Sequence, residues 1–198
     1  MGSSIILASL MYVLTGSTSV GKTSIIHELE KQGEPVIHEA ATDWIQSRLD
    51  AGVKEFWKEE DFIYNIFKLQ VQREAPFLSK QGRVFIDRGL FDGYAFILPH
   101  ALAGTNTHFA INAELGGIDL NQRYAAIFFI LPHTDGSLSV MQNGIRQETA
   151  QQARELQAAL FSVYCQHKNF FVVPGNLTPQ ERATFILERV HQLEASNP

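Results

Sequence analysis

The 198 residues carry 16 lysines and arginines against 21 aspartates and glutamates, a formal net charge of -5, and 45% of them are hydrophobic. That balance is the balance of a packed globular chain, and its acidic sign offers no broad positive field to nucleic-acid phosphates. No apolar run approaches the roughly 20 residues that span a bilayer, so the expectation is a single cytoplasmic domain over residues 1–198 with neither a nucleic-acid nor a membrane partner. Oligomeric state leaves no mark in the sequence.

Residues 5–14 form the first apolar run, with Met11-Tyr12-Val13-Leu14 its β-rich part. It lacks a basic leader and a small-residue cleavage site and leads directly into a glycine-rich loop, so it reads as a strand and not as a secretory signal. Met1-Gly2 opens like a myristoylation pattern, but Ile6 stands where that pattern wants Ser or Thr. Met11 is a second candidate for the natural first residue, with the preceding ten an extension. Further β-rich runs follow at Pro35-Val36-Ile37, Arg83-Val84-Phe85-Ile86, Ala126-Ile127-Phe128-Phe129-Ile130 and Phe170-Phe171-Val172-Val173. Their continuous apolar character fits strands covered on both faces, as in a parallel sheet.

Between the strands lie helical spacings, Phe62, Ile63, Ile66, Phe67 and Leu69 in one segment and Leu156, Leu160, Val163 and Tyr164 in another. Thr178-Pro179-Gln180-Glu181 supplies a cap, a proline at the first helical position and a capping-box partner for a last helix. The alternation predicts an α/β fold, a doubly wound three-layer sandwich with a five-stranded parallel sheet, whose ligands sit at the carboxyl ends of the strands.

Directly after the first strand comes Gly16-Ser17-Thr18-Ser19-Val20-Gly21-Lys22-Thr23, which matches G-x-x-x-x-G-K-[ST], with Ser24 opening the following helix. Glycines let the backbone turn tightly so that successive amides point inward and hold phosphate oxygens at a helix N-terminus. Lys22 then reaches the β- and γ-phosphates, and the Thr23 hydroxyl suits Mg2+, a hard ion that prefers oxygen. The expected cofactors are ATP or GTP with Mg2+, because the loop reads phosphate and not base. Asp87, at the end of the third strand, is the candidate carboxylate for the metal's waters; a strand-end Asp also caps helices, and the two roles are compatible. Arg88 is a candidate clamp for a moving phosphoryl group, and a surface arginine is the plain alternative. Motor ATPases of the AAA type carry Asp-Glu at this strand end, and Ras-like GTPases carry Asp-x-x-Gly and Asn-Lys-x-Asp; the chain has none of these.

With the loop, the second strand and the Asp87-Arg88 pair in place, the chain resembles the AAA-domain family of kinase-like P-loop proteins. Its relatives include the ribosylnicotinamide kinase domain of the bacterial NAD regulator and, more distantly, deoxynucleoside kinases. The resemblance runs through the loop, Pro35-Val36-Ile37-His38-Glu39-Ala40-Ala41, Val84-Phe85-Ile86-Asp87-Arg88-Gly89-Leu90-Phe91-Asp92, and Asn143-Gly144-Ile145-Arg146-Gln147-Glu148. It implies transfer of the γ-phosphoryl group to a small-molecule hydroxyl, nucleoside-like in kind. Glu39 stands where nucleoside kinases place a general base, and Arg146 where the family carries a lid arginine. Catalytic duty therefore falls on Lys22, Glu39, Asp87, Arg88 and Arg146. Thr42-Asp43 replaces the arginine that the family often shows soon after the glutamate. A nucleotide-binding regulator without phosphotransfer is the second reading.

Other features are weaker. Gln72-Arg73-Glu74 fits a substrate-facing or a solvated helix face equally well. Cys165, the only cysteine, reads as an inert core residue. The histidines show no metal-ligand spacing, and Trp44 and Trp57 read more readily as core than as base-stacking groups. Residues 104–117 read as a substrate cover or a plain loop.

Overall fold

The structure is a computed structural model that describes residues 10–59, 61–79, 82–97, 106–133 and 149–196. Five strands, β1 (Leu10–Thr15), β2 (Val36–Ile37), β3 (Arg83–Asp87), β4 (Ala126–Ile130) and β5 (Phe170–Val173), form one sheet in the order β2-β3-β1-β4-β5. Every pairing is parallel. The helices among the described residues are α1 (Lys22–Lys31), α2 (Ala40–Asp50), α3 (Phe62–Glu74), α4 (Asp92–Ile97), α5 (Asn106–Leu115), α6 (Leu120–Arg123), α7 (Ala150–Tyr164) and α8 (Pro179–Ser196).

The unbroken apolar runs are explained by burial on both faces. Tyr12, Leu14, Phe85, Phe128 and Ile130 turn toward α1 and α8, where Ile25, Leu29, Ile186 and Val190 meet them. The alternate residues Met11, Val13, Val84, Ile86, Ile127 and Phe129 turn the other way, onto Ala95 of α4 and Leu156, Leu160 and Tyr164 of α7. With side chains alternating at a period of two, two helical layers leave no face for polar residues. Only β5, at the sheet edge, exposes a large apolar side chain within a strand, Val172 at 43%.

Capping fixes which face each late helix buries. Thr149 and Gln152 exchange capping-box bonds at the start of α7. Thr178 and Glu181 do the same at the start of α8, as its sequence predicts. The α8 cap sets a register in which Arg182, Ala183, Ile186 and Val190 point inward.

Four expectations need correction. Residues 106–115 form α5 and not a loop, because Ile111 and Leu115, one turn apart, pack on Phe67 and Leu90; Gly104 and Thr105 lie outside the described residues. Cys165 sits at the C-terminal cap of α7 and is partly exposed, because Tyr164 takes the inward position beside it. Trp57 is 56% exposed, its ring edge-on to Phe56, while Trp44 is half-buried between Phe62 and the guanidinium of Arg48. Finally, Glu74 belongs to neither a solvated nor a substrate-facing surface: it is fully buried, paired with Arg123. No helix among the described residues is long and apolar enough to cross a membrane.

Candidate functional site

The loop after β1 folds back at positions that need special backbone. Gly16 has φ 144°, and a Cβ there would stand 2.7 Å from the Ile130 carbonyl of β4. Ser19 and Gly21 are left-handed, at φ 60° and 92°. Gly21 caps α1 without any side-chain hydrogen bond, so the first-turn amides of that helix face the loop, the arrangement of an anion nest. Val20 is buried in the α1/α8 core and anchors the loop. Ser17 and Thr18 are buried, whereas Ser19, Thr23 and Ser24 are exposed. The Lys22 ammonium lies over the loop, donating to the carbonyls of Gly16 at 3.1 Å and Ser17 at 2.7 Å.

The neighbouring strand end brings the predicted charged residues against this loop. Thr23 donates its hydroxyl to Asp87 Oδ2 at 3.2 Å, while Asp87 Oδ1 is buried without a hydrogen-bond partner. Burial, reinforced by Glu39, pushes the Asp87 carboxyl above the ordinary range against the pull of Lys22 and Arg88. A hydroxyl and a carboxylate with an unengaged oxygen are the hard donors that Mg2+ accepts, so these residues fit the ion. Arg88 is a buried arginine and not a surface one: its Nε donates to Glu39 Oε1 at 2.8 Å, and Nη1 donates to the Gly16 carbonyl and to Asp92 Oδ1. Its remaining nitrogen, Nη2, has no hydrogen-bond partner. Glu39 occupies the N-terminal cap of α2, where Thr42 donates to its Oε2. The dipole position and the Arg88 pairing therefore coexist. Lys22, Glu39, Asp87 and Arg88 all converge on one end of the sheet; Arg146 lies outside the described residues.

Arg88 is held in a strained left-handed conformation, φ 72°, and the residues that hold it carry no motif. Gln70 donates to the Arg88 carbonyl and to Glu74. Tyr124 accepts from the Leu90 amide and donates to Glu74. Asp92 accepts from the Gly89 amide, Thr15 and Tyr164. A Cβ on Gly89 would meet the Tyr124 hydroxyl at 2.9 Å, so only glycine fits between the two tyrosines. The hint available in the sequence was that Gln70 and Glu74 fall at helical spacing from Ile63 and Phe67, on the stripe of α3 that is buried.

On the opposite flank, Gln157 of α7 accepts from the Ser17 amide at 2.5 Å and donates to the Ile130 carbonyl. Arg182 of α8, 1% exposed, donates to the carbonyls of Val20 at 2.7 Å and Gly175 at 2.8 Å. Sequence reasoning missed both. An arginine within the apolar stripe of α8 was the signal, since an unpaired charge is rarely placed there for packing.

Fold and loop define a parallel α/β protein of the P-loop type. The chain belongs to the AAA-domain family: a family model described as AAA domain matches residues 11–182. Among solved structures it is similar to deoxyadenosine kinase from M. mycoides with products dCMP and dCDP, at TM-score 0.66 and 13% identity, covering 93% of this chain and 100% of that one. The same kinase with bound dATP aligns at TM-score 0.64 and 14% identity over 92% of this chain and 99% of that one. NadR protein in complex with NAD and AMP-PNP aligns at TM-score 0.66 and 16% identity over 93% of this chain; the match spans 49% of NadR. No curated protein sequence matches significantly.

Proposed function

We propose that the protein is a kinase that transfers the γ-phosphoryl group of ATP to a hydroxyl of a small, nucleoside-like molecule. The observation that carries this reading is the buried Glu39–Arg88 pair at 2.8 Å, with the same guanidinium 3.1 Å from the carbonyl of Gly16. A carboxylate, a cation and a phosphate loop then adjoin one reaction volume. The family and the kinases sharing the fold support the same choice.

In this reading the loop amides and Lys22 hold the triphosphate. Thr23 and, through water, Asp87 would hold Mg2+, which when bound neutralises phosphate charge. Glu39 accepts the proton of the acceptor hydroxyl. Its carboxylate has about four acceptor positions, of which Arg88 Nε takes one on Oε1 and Thr42 one on Oε2. Arg88 fixes the direction of that carboxylate, and its unpaired Nη2 is a donor for charge developing on phosphoryl oxygens. Catalysis is then positioning and electrostatics, as phosphoryl transfer requires.

Glu39→Gln tests the assignment. Transfer from ATP to a panel of nucleosides should fall by about 10²- to 10⁴-fold, with affinity for a nonhydrolysable ATP analogue unchanged. If no acceptor stimulates ADP formation by the unaltered protein, the kinase reading is wrong and nucleotide binding alone remains.

A further inference from the structure

Arg182 is a buried cation beside the loop to which the phosphotransfer reading gives no role. It is 1% exposed, and among the described residues no carboxylate pairs with it. Its bonds go to two neutral carbonyls, those of Val20 and Gly175, and its Nε has no hydrogen-bond partner. Burial lowers its guanidinium pKa, and no carboxylate works against that shift. A lone buried cation is costly, and the bonds to the two carbonyls offset only part of that cost.

What the side chain touches points to a purpose. Val20 and Gly21 share one trans peptide, and in a planar trans unit the carbonyl and the amide point in opposite directions. Drawing the Val20 carbonyl outward to Arg182 turns the Gly21 amide to the other side, toward the concave face of the loop. A charge-assisted bond to that carbonyl also polarises the amide as a donor. The guanidinium lies directly behind Gly21, with Nη1 3.5 Å from where a Cβ would stand. Its other arm binds Gly175 in the turn after β5, which is pressed so close to Pro132 that a Cβ there would lie 1.9 Å from the Pro132 carbonyl. One side chain thus ties the turn after β1 to the turn after β5, and through it to the turn after β4.

Building on the nucleotide-binding reading above, we infer that Arg182 is a positioning residue for polyphosphate: it presets the Gly21 amide toward the phosphates and places a further buried positive charge, besides Lys22 and Arg88, next to the loop. The charge that costs stability in the free protein becomes favourable once an anion of several charges occupies the nest.

The test uses Arg182→Met, which keeps much of the volume and loses the charge, and Arg182→Lys, which keeps the charge but reaches one carbonyl at most. Binding of inorganic tripolyphosphate and of a nonhydrolysable ATP analogue, each with Mg2+, is measured by calorimetry, and the Gly21 amide is followed by 1H–15N spectroscopy. Arg182→Met should weaken both ligands by roughly 10- to 100-fold and shrink the ligand-induced shift of the Gly21 resonance, with native circular dichroism. Arg182→Lys should fall between it and the unaltered protein. Affinity within twofold of the unaltered protein in folded Arg182→Met, with the Gly21 shift intact, overturns the inference alone. Where Arg182→Met does not fold, Arg182→Lys decides by the same comparison, a loss of threefold or more supporting the inference and an unchanged affinity overturning it. Failure of the unaltered protein to bind either ligand overturns the nucleotide reading, and the inference with it.

Discussion

The two ends of the sheet treat charge in opposite ways. At the amino end Arg83 is bonded to Glu34 and Glu194, and Tyr12 donates to the same Glu194, in a partly exposed cluster with every group partnered. At the carboxyl end the charges are more deeply buried and less fully satisfied. Asp87 Oδ1, Arg88 Nη2 and Arg182 Nε are the buried side-chain polar atoms without hydrogen-bond partners among the described residues, and all three lie there. Orphaned polar atoms are scarce in folded proteins because each costs about 1–3 kcal/mol. On the kinase reading, their concentration around one loop marks where packing gave way to ligand chemistry, while the amino end shows the same residue types used for holding the fold.

Breaking the carboxyl-end network should produce the larger effect. Arg88→Met leaves Glu39 and Asp92 buried without their cation, so chemical unfolding should show a loss of about 3–5 kcal/mol, together with loss of phosphotransfer. Arg83→Met removes one cation from a partly exposed cluster, and solvent screens what remains. Its cost should be about 1–2 kcal/mol in the same measurement, with nucleotide affinity unchanged. Equal losses of stability and of affinity from both substitutions would erase the distinction between the ends.

The smallest expected effect concerns pH. Burial raises the Glu74 carboxyl above its ordinary value, against Arg123, Gln70 and Tyr124, which favour its charge. The folded state therefore holds this proton to a higher pH than the unfolded state does. Its contribution to stability is full below the unfolded pKa near 4.5 and is lost as pH rises through the folded value. Unfolding free energies from pH 4 upward, unaltered protein minus Glu74→Gln, should decline over that window. A flat or rising difference would show that Arg123 keeps Glu74 ionised and that burial is not the stronger influence.

Legibility differed sharply between the fold and the site. Strand and helix positions follow from local patterns: five apolar runs became five strands, and Thr178 with Glu181 marked the start of α8 correctly. Misreadings arose where partners distant in sequence decide burial. The segment around residues 106–115 looks polar at its start, and only the contact of its Ile111 and Leu115 with Phe67 and Leu90 packs it as a helix. Cys165 and Tyr164 are adjacent in sequence and differ in burial by a rotation about the axis of α7, which its register sets.

The sequence by itself determined the parallel α/β fold and the phosphate loop, because local periodicity, caps and a contiguous glycine pattern encode both within short windows. It also placed Glu39, Asp87 and Arg88 as candidates near that loop. Tertiary structure alone decided how those charges pair, that Gln70, Glu74, Asp92 and Tyr124 brace the segment around Arg88, and that Gln157 and Arg182 brace the loop from up to 162 residues away. The reason is physical: a hydrogen bond between segments so far apart leaves no periodic trace in either one, and only the packing of α3, α7 and α8 against the sheet brings its donor and acceptor within 3 Å or so.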